Sequence, residues 1–337
     1  MPKNYNLLLI FGGHEEAEIS KISASFLVSE LNKLDKINLH TAYINTEHRL
    51  FETNGQLENL QQEEIFIAQG SFTRGNGTKV EIDYVLPCIH GRPGENGDLQ
   101  PFLDFNHLSY FGNEKDQSTI CFNKITTKLW AKTLGVQIVP FETVHKTNYV
   151  EKLDLCLEKL GDDLFVKTTA QGSSIGCYPA KGKEGLKKSI ENCFRYGDTI
   201  LIEKAVKARE IEIAVFNYKD EIIVSNPGEI LTASSFYSYD EKYSKESKTQ
   251  TSISPQNISE DQLKSLRELS RKLFIGLQLK DLARIDFFLT EEGIFLNEIN
   301  TFPGMTPISL FPQLVEASGI KFSDYLNDRI TSGAKNE

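Results

Sequence analysis

The sequence predicts an α/β fold that is α+β in part. The first evidence for this fold class comes from patterns in the first ninety residues. A continuous apolar run at residues 7–11 ends in two glycines, as a buried parallel strand does. Residues 19–34 carry apolar positions at helical spacing, and strand patterns follow at residues 39–44 and 84–89. Strands that alternate with helices predict a parallel sheet in this N-terminal part.

Composition restricts the class of protein. At 337 residues the chain can form two or three domains, and 39% hydrophobic with 25% charged residues is the content of an ordinary globular protein. The net charge of −10 argues against a nucleic-acid-binding protein, and no apolar run approaches the length of a membrane span. Five widely spaced cysteines without a C-x-x-C pair indicate reduced thiols. We therefore expect a cytoplasmic protein without nucleic-acid or membrane partners.

The middle of the chain predicts a helix followed by a small α+β unit. Residues 118–134 form the helix, which Gly135 ends. Residues 165–203 follow the order strand, glycine-rich loop, strand, helix, strand, and the helix of this unit is expected at residues 185–196. Residues 46–78 are polar and irregular and carry no prediction.

The last third is mixed. Residues 231–250 form a long polar segment, which predicts either a functional lid or disorder. Ser259 and Gln262 fit a capping box, and they precede a helix with a stripe of leucines. The other regular elements expected here are two strands and two helices, at residues 211–216, 221–224, 309–317 and 322–330.

A hairpin at residues 284–300 is the most informative stretch. Two apolar runs flank an acidic turn, and a three-residue loop pairs Thr290 with Ile294. Counted outwards, this register sets Asp286 opposite Glu298 on one face of the hairpin.

The same register sets Arg284 opposite Asn300 on that face. Facing carboxylates repel each other, so their pairing suggests a cation between them. Asp, Glu and Asn oxygens suit Mg²⁺, which retains waters and substrate phosphates. A hairpin with one solvated polar face is the alternative.

A glycine- and serine-rich loop at residues 172–176 has the spacing G-x-S-x-G of the hydrolase nucleophile elbow. That fold needs a histidine after the serine, but the last histidine of this chain is His145, so the hydrolase is excluded. The loop follows a strand that ends in Lys167, and it can close over phosphates with its backbone N–H groups. A simple hairpin turn without a ligand is the alternative interpretation. Glu184 stands where a Walker A box needs Ser or Thr, and no G-x-G-x-x-G follows the first strand.

Two further glycine-rich stretches follow predicted strands. His90 lies among glycines at the carboxyl end of its strand, where open α/β sheets bind ligands. After Gly12 and Gly13, a helix N-terminus can hold a ligand carboxylate while Glu15 or Glu16 binds its amine.

Together these stretches resemble the D-alanine–D-alanine ligases of the ATP-grasp superfamily. The resemblance runs in order from Gly12 to about Leu310, nearly the whole chain. The motifs that carry it are residues 90–97, 166–167, 172–176, 236–243, 284–288 and 297–306.

The resemblance implies a three-domain ATP-grasp fold with an N-terminal parallel-sheet pre-ATP-grasp domain. Its domains are expected at residues 1–114, 115–204 and 205–337, with ATP between the last two and a lid at residues 231–250. ATP phosphorylates one D-alanine, and the amine of a second attacks the acyl phosphate. Two Mg²⁺ ions, which Mn²⁺ can replace, and a homodimer are also implied.

The resemblance assigns roles to residues of this chain. Catalytic roles fall to Glu16, His90, Ser173, Tyr243 and Arg284. ATP contacts are Lys124, Lys167, Glu203, Lys204, Val206, Glu210 and Lys242. D-Alanine contacts are Tyr237, Ser309 and Leu310, and the metal ligands are Asp286, Glu298 and Asn300.

Departures from the family pattern leave alternatives open. Glu15 competes with Glu16, and Asn123 stands where the family commonly has Asp. Tyr243 fits the dipeptide-forming branch, because relatives that make D-alanyl-D-lactate usually carry His there. The alternatives are another ATP-grasp carboxylate–amine ligase, one using D-lactate or D-serine included, and an ATP-binding regulatory module without turnover.

Overall fold

The structure is a computed structural model that describes residues 4–14, 16–53, 55, 57, 60, 63–231 and 250–334. The strands are β1 (Tyr5–Gly12), β2 (Ile37–Ile44), β3 (Leu50–Glu52), β4 (Glu63–Ala68), β5 (Ser71–Arg74), β6 (Lys79–Glu81), β7 (Tyr84–Cys88), β8 (Phe141–His145), β9 (Asp163–Thr168), β10 (Cys177–Lys181), β11 (Thr199–Lys204), β12 (Arg209–Tyr218), β13 (Glu221–Val224), β14 (Gly228–Leu231), β15 (Gln250–Ser252), β16 (Leu282–Leu289) and β17 (Ile294–Asn300). The helices are α1 (Ala17–Leu31), α2 (Leu99–Phe105), α3 (Lys115–Phe122), α4 (Lys124–Thr133), α5 (Tyr149–Leu160), α6 (Gly182–Cys193), α7 (Glu260–Gly276), α8 (Leu310–Ala317) and α9 (Phe322–Gly333).

The N-terminal sheet has the strand order β6-β5-β4-β3-β2-β1-β7. Its centre is the predicted parallel core, because β1 lies parallel to both β2 and β7. Residues 7–11 of β1 are fully buried, as their continuous apolar run predicts. Strands β3–β6 extend this sheet by antiparallel pairing, and β3–β5 fall in the stretch that carried no prediction. The carboxyl end of β1 leads into the loop that carries Glu16.

The second sheet has the order β10-β9-β11-β8 and is antiparallel throughout. Helices α5 and α6 cover one face, where Leu186 and Ile190 pack with Val166 and Ile202. Because side chains alternate along a strand, Lys167 lies on the opposite face of β9 from Val166. The predicted order of elements is confirmed, although α6 spans residues 182–193 rather than 185–196.

The third sheet has the order β15-β14-β12-β16-β17, with β13 beside β12. Helix α7 packs its leucine stripe on one face of this sheet, and its predicted capping box between Ser259 and Gln262 is present. Alternation leaves the polar residues of β12, β16 and β17 on the other face. Helices α3 and α4 contact β17 and contribute to the same core, and the predicted domain boundaries stay a prediction.

The single helix predicted at residues 118–134 is wrong, because the structure has two helices there. Asn123 separates α3 from α4 with an extended backbone at φ −90° and ψ 110°. Its side-chain oxygen accepts hydrogen bonds from the backbone N–H groups of Ile125 (3.0 Å) and Thr126 (3.3 Å), which is the N-cap of a new helix. The break makes Lys124 the first residue of α4, at the edge of the site described below.

The hairpin register confirms one prediction and corrects another. Asp286 pairs with Glu298, and Arg284 pairs with Asn300, as predicted. The loop, however, pairs Leu289 rather than Thr290 with Ile294, so the three-residue turn is wrong. The register changes between Asp286 and Phe287, where β17 carries one extra residue, Asn297. This bulge restores the pairing at the charged end.

The described part of the chain holds no helix that is long and apolar enough to span a membrane.

Candidate active site

The charged face of the hairpin forms a tight cluster. The Arg284 guanidinium donates to both carboxylate oxygens of Asp286, at 2.8 and 2.7 Å, and the Asn300 amide donates to Asp286 Oδ2 at 2.9 Å. Residues two apart on a strand share a face, and those opposite on its partner lie beside them, so the register itself brings these three together.

Glu212 completes this cluster and was missed in the sequence. It lies opposite Asp286 in the β12–β16 pairing, and its Oε2 is 3.0 Å from Arg284 Nε. Burial disfavours the charged form of Arg284, but Asp286 and Glu212 outweigh burial and raise its pKa. The signal was the alternation of Ile211, Glu212 and Ile213 within the predicted strand.

Lys124 links the hairpin to the loop between β9 and β10, residues 169–176, whose second half is the glycine- and serine-rich stretch at residues 172–176. Its Nζ donates to the carbonyl oxygen of Gln171 at 2.7 Å and is 3.5 Å from Glu298 Oε2. Its backbone N–H also donates to the carbonyl oxygen of Thr169 at 2.8 Å. The start of α4 therefore fixes where the loop lies relative to β17.

Lys167 and Glu203 form an ion pair between neighbouring strands β9 and β11 of the second sheet. Lys167 Nζ is 2.7 Å from Glu203 Oε2 and donates to Asn297 Oδ1 at 3.2 Å. Burial disfavours the charged Lys167, but Glu203 outweighs it and raises the pKa of the ammonium group. The bulge in β17 thus directs Asn297 at Lys167, which is how bulges beside active sites commonly act.

Lys128 also contacts Glu203 and was missed in the sequence. Its side chain is 1% exposed, and its Nζ forms an ion pair with Glu203 Oε1. Burial would raise the pKa of Glu203, but Lys167 and Lys128 outweigh it and lower that pKa to about 2. The signal was its spacing of four residues from Lys124, which places both lysines on one face of α4.

Glu16 meets the glycine- and serine-rich loop directly. Ser173 Oγ donates to Glu16 Oε2 at 2.6 Å, and Ser173 has a left-handed backbone with φ 49°. A Cβ at Gly172 would lie 2.6 Å from Glu16 Oε1, and one at Gly91 would lie 3.3 Å from it. These glycines let two backbone segments approach one buried carboxylate. Glu15, the open alternative, lies outside the described residues.

His90 is buried among polar side chains and precedes Gly91, whose backbone approaches Glu16. Its Nε2 is 2.8 Å from Ser23 Oγ, and its Nδ1 is 3.6 Å from Glu95 Oε1. Burial raises the pKa of Glu95 although His90 acts against it. The imidazole ring packs on Phe302, with 5.6 Å between ring centroids. His90 therefore contacts the segment that follows the hairpin.

The predicted D-alanine carboxylate contacts lie at the start of α8. Ser309 is the N-cap residue, and its Oγ accepts from the backbone N–H of Thr306 at 3.1 Å. Leu310 is the first residue of α8, and its side chain is buried in the N-terminal core. The helix N-terminus therefore presents backbone N–H groups near Ser309.

Other predicted residues lie at the edges of the site. Lys204 is exposed, and Val206 and Glu210 are half-buried at the start of β12 and the segment before it. Tyr237, Lys242 and Tyr243 lie outside the described residues, as do residues 232–249 of the predicted lid as a whole.

The hairpin oxygens suit Mg²⁺ that is held together with phosphates. Within the described ranges, no group of three or more His, Cys, Asp or Glu side chains is arranged to hold a metal ion. Asp286, Glu298 and Asn300 offer two carboxylates and one amide, which is too few for an all-protein cage. Mg²⁺ commonly takes one or two carboxylates and completes its shell with waters and phosphates. The donor set therefore fits that ion.

Comparisons with known proteins agree along the whole chain. The family models "D-ala D-ala ligase N-terminus" and "D-ala D-ala ligase C-terminus" match residues 6–113 and 129–331. A D-alanine–D-alanine ligase of Aeromonas hydrophila is 43% identical over 96% of this chain and 97% of its own length.

Solved structures give the same result. D-alanyl-alanine synthetase A of Vibrio cholerae superimposes with a TM-score of 0.91 and 34% identity, covering 100% of both chains. The VanG D-Ala:D-Ser ligase of Enterococcus faecalis gives a TM-score of 0.87 and 25% identity, covering 98% of this chain and 100% of its own.

Fold and relatives define an ATP-grasp ligase, so the predicted fold class is confirmed. The chain belongs to the D-alanine–D-alanine ligase family. It is an ATP-dependent enzyme of that family, which confirms the predicted ligase class and rejects the regulatory module.

Proposed function

We propose that the protein joins two D-alanines into D-alanyl-D-alanine through a D-alanyl phosphate, as a step in peptidoglycan precursor synthesis. The observation that carries this is the convergence of two polar sites on one loop. Lys124 bonds the loop at Gln171 and faces Glu298, while Ser173 of the same loop bonds Glu16. One loop therefore connects the place proposed for phosphates with the place proposed for the first amino acid.

The reaction has two displacements. A carboxylate oxygen of the first D-alanine bonds to the γ-phosphorus of ATP, and the bond from that phosphorus to the β–γ bridging oxygen breaks to release ADP. The amine nitrogen of the second D-alanine then bonds to the acyl carbon and loses a proton, and the carbon–oxygen bond to phosphate breaks. Charge neutralisation and positioning supply most of the catalysis in such phosphoryl transfers.

The hairpin face is proposed as the electrostatic centre. Asp286, Glu298 and Asn300 would hold Mg²⁺, two ions by family resemblance, with Mn²⁺ as a substitute. Bound there, the metal would neutralise charge on the β- and γ-phosphates. Arg284, fixed by Asp286 and Glu212, points a permanent positive charge at the same space, where the transferred phosphoryl group and acyl oxyanion develop negative charge.

The remaining proposed roles rest on the family resemblance, and the contacts of the described residues support some of them. Lys124 and Lys167 bind ATP phosphates through their ammonium groups, and Lys242 reaches the γ-phosphate from the lid. Glu16 takes the ammonium of the first D-alanine, with its position fixed by Ser173. The family resemblance gives the other roles. His90 would lie near the first D-alanine, and Tyr243 with Ser173 would fix the lid by hydrogen bonds to Glu16. Nucleotide contacts would be Glu203, Lys204, Val206 and Glu210, and D-alanine contacts Tyr237, Ser309 and Leu310.

The second substrate has one specific competitor. The structure described as a D-Ala:D-Ser ligase shares the fold over the whole chain, so D-serine is the alternative acceptor. The acceptor would lie at the α8 N-terminus, where Ser309 and the Leu310 backbone N–H can take its carboxylate. We favour D-alanine because the more similar relatives are D-alanine–D-alanine ligases.

A cytoplasmic location and a homodimer belong to the same proposal. All five cysteines are free thiols, which suits a reducing compartment. The homodimer rests on family resemblance, and sedimentation equilibrium measures it directly.

The test is ADP release by the purified protein with ATP, Mg²⁺ and D-alanine, with the product identified by mass. D-Alanyl-D-alanine is the expected product, and ADP release without D-alanine should stay at background. D-Serine, D-lactate and L-alanine serve as matched acceptors. Turnover that does not need D-alanine, or a preferred acceptor other than D-alanine, would overturn the proposal.

A further inference from the structure

A buried lysine that the proposed mechanism does not use lies behind the nucleotide contacts. Lys128 is on α4, one turn after Lys124, and only 1% of its side chain is exposed. A lysine is rarely buried so deeply unless it is paired, because the charged form loses its hydration. Burial indeed lowers the pKa of Lys128, against the opposing effect of Glu203.

Lys128 and Lys167 share one carboxylate. Glu203 Oε1 pairs with Lys128, and Glu203 Oε2 is 2.7 Å from Lys167 Nζ. Each oxygen therefore faces a different ammonium group, and the carboxylate is held from two sides. Its plane and its distance from Lys167 depend on both contacts.

The surroundings hold these groups in one place. The Phe165 ring lies 5.4 Å from Lys167 Nζ, and the Phe141 ring lies 5.7 Å from Lys128 Nζ. Glu203 itself is 2% exposed. Little water can therefore screen or replace the ion pairs, and electrostatic interactions are stronger here than at the surface.

We propose that Lys128 is a positioning residue for nucleotide binding, which acts through Glu203 to set the place and the available charge of the Lys167 ammonium. This rests on the proposed role of Lys167 in binding ATP phosphates. Lys128, Lys167 and Glu203 together carry a net positive charge, and this charge attracts the phosphates of the nucleotide. Without Lys128, Glu203 and Lys167 form a neutral one-to-one pair, and Lys167 is drawn towards the carboxylate and away from the phosphates.

A purely structural role is the competing explanation. A buried carboxylate that loses one partner is destabilising, so any Lys128 variant should lower the melting temperature. Stability alone therefore cannot distinguish the two roles. Nucleotide affinity can, because a structural role would leave it unchanged in the folded fraction.

The experiment measures binding of a non-hydrolysable ATP analogue with Mg²⁺ by calorimetry, without D-alanine, so its outcome does not depend on which acceptor the enzyme uses. Lys128→Gln is the principal variant, because it removes the charge and keeps a hydrogen-bond donor. We expect Kd for the analogue and KM for ATP to rise about tenfold, which corresponds to about 1.4 kcal/mol. KM for D-alanine should stay within about twofold of wild type, because the proposed role of Lys128 concerns the nucleotide alone. Lys132→Met, an exposed lysine on the same helix, is the control and should bind normally.

A double-mutant cycle with Glu203→Gln tests the route of the effect. If Lys128 acts through Glu203, then Lys128→Gln should change Kd by less than about twofold in the Glu203→Gln background. An unchanged Kd in the single variant, or effects of the two changes that add in full, would overturn the proposal. If Lys128→Gln does not fold, Lys128→Met removes the charge from an unbranched side chain and must raise Kd for the analogue in the same way; an unchanged Kd in that variant would also overturn the proposal.

Discussion

The β16–β17 hairpin and the β9–β10 loop at residues 169–176 each hold a carboxylate, but by different physical means. Asp286 is fixed by strand register, with Arg284 beside it and Asn300 across from it. Glu16 is fixed by a loop that approaches it closely, with Ser173 in a left-handed conformation. Register uses backbone hydrogen bonds that the sheet needs in any case, whereas the loop depends on the absence of a side chain at one glycine.

Because the two regions hold their carboxylates differently, we expect them to respond differently to substitution. A hairpin cluster tolerates loss of one charge without loss of structure, because neighbouring strands keep their pairing and the remaining charges keep partners. A close-approach loop does not tolerate added bulk, because the contact itself requires that space. Loss of a charged group should therefore reduce activity in the hairpin without unfolding it, whereas an added side-chain atom should displace the loop.

Asp286→Ala should have the largest effect. It removes a proposed metal ligand, yet Arg284 keeps Glu212 as a partner at 3.0 Å, so the sheet should stay folded. We expect kcat to fall by about 10³-fold, as when a preorganised electrostatic group is removed from a transition state. ADP release with D-alanine measures it, and circular dichroism should be unchanged. Asp35→Ala, an exposed change of the same type, is the control. Turnover within tenfold of wild type would contradict the metal assignment.

The same hairpin shows how far sequence reasoning reaches. The pairing of Asp286 with Glu298 was predicted correctly through an incorrect loop, because the longer turn and the extra residue Asn297 shift the register in opposite senses. Alternating hydrophobicity constrains which residues share a face, but bulges carry no comparable pattern in a single sequence. The charged end was predictable since its polar residues had to share one face.

Other features depended on contacts between segments far apart in the chain. The order of strands and helices in the second sheet follows from periodicity, which is local. Lys128 and Glu212 acquire their roles from partners at Glu203 and Arg284, and burial of a lysine cannot be seen in its own neighbourhood of sequence.

The break at Asn123 was missed since apolar spacing continues through it, although Asn is a good N-cap residue. Tyr237, Lys242 and Tyr243 stay predictions.

Gly172→Ala should have the second-largest effect and is the matching test of the loop. The added Cβ would lie 2.6 Å from Glu16 Oε1, closer than carbon and oxygen can approach, so either the loop or the carboxylate must move. We expect kcat/KM for D-alanine to fall by about 10²-fold, since small displacements of a positioning group cost that much. Affinity for the ATP analogue should change much less.

Gly197→Ala is the control for this change, since nothing lies within 4 Å of its Cβ position. Equal loss of nucleotide affinity and D-alanine affinity in Gly172→Ala would mean that the loop serves both substrates alike. Wild-type kinetics would mean that Glu16 and Ser173 do not need their contact.

Asn297→Ala should have the smallest effect, and it joins the two regions under comparison. The bulge residue accepts a hydrogen bond from Lys167 Nζ at 3.2 Å, so the position of β17 helps to fix the position of this lysine of the second sheet. Lys167 keeps Glu203 at 2.7 Å when this bond is lost, so only one of its constraints disappears. A net hydrogen bond contributes about 1 kcal/mol, which predicts a rise of about fivefold in KM for ATP with kcat nearly unchanged. Steady-state kinetics at saturating D-alanine measures both constants. A fall in kcat as large as that of Asp286→Ala would show that the bulge shapes the metal ligands rather than Lys167, and that register and loop are not independent.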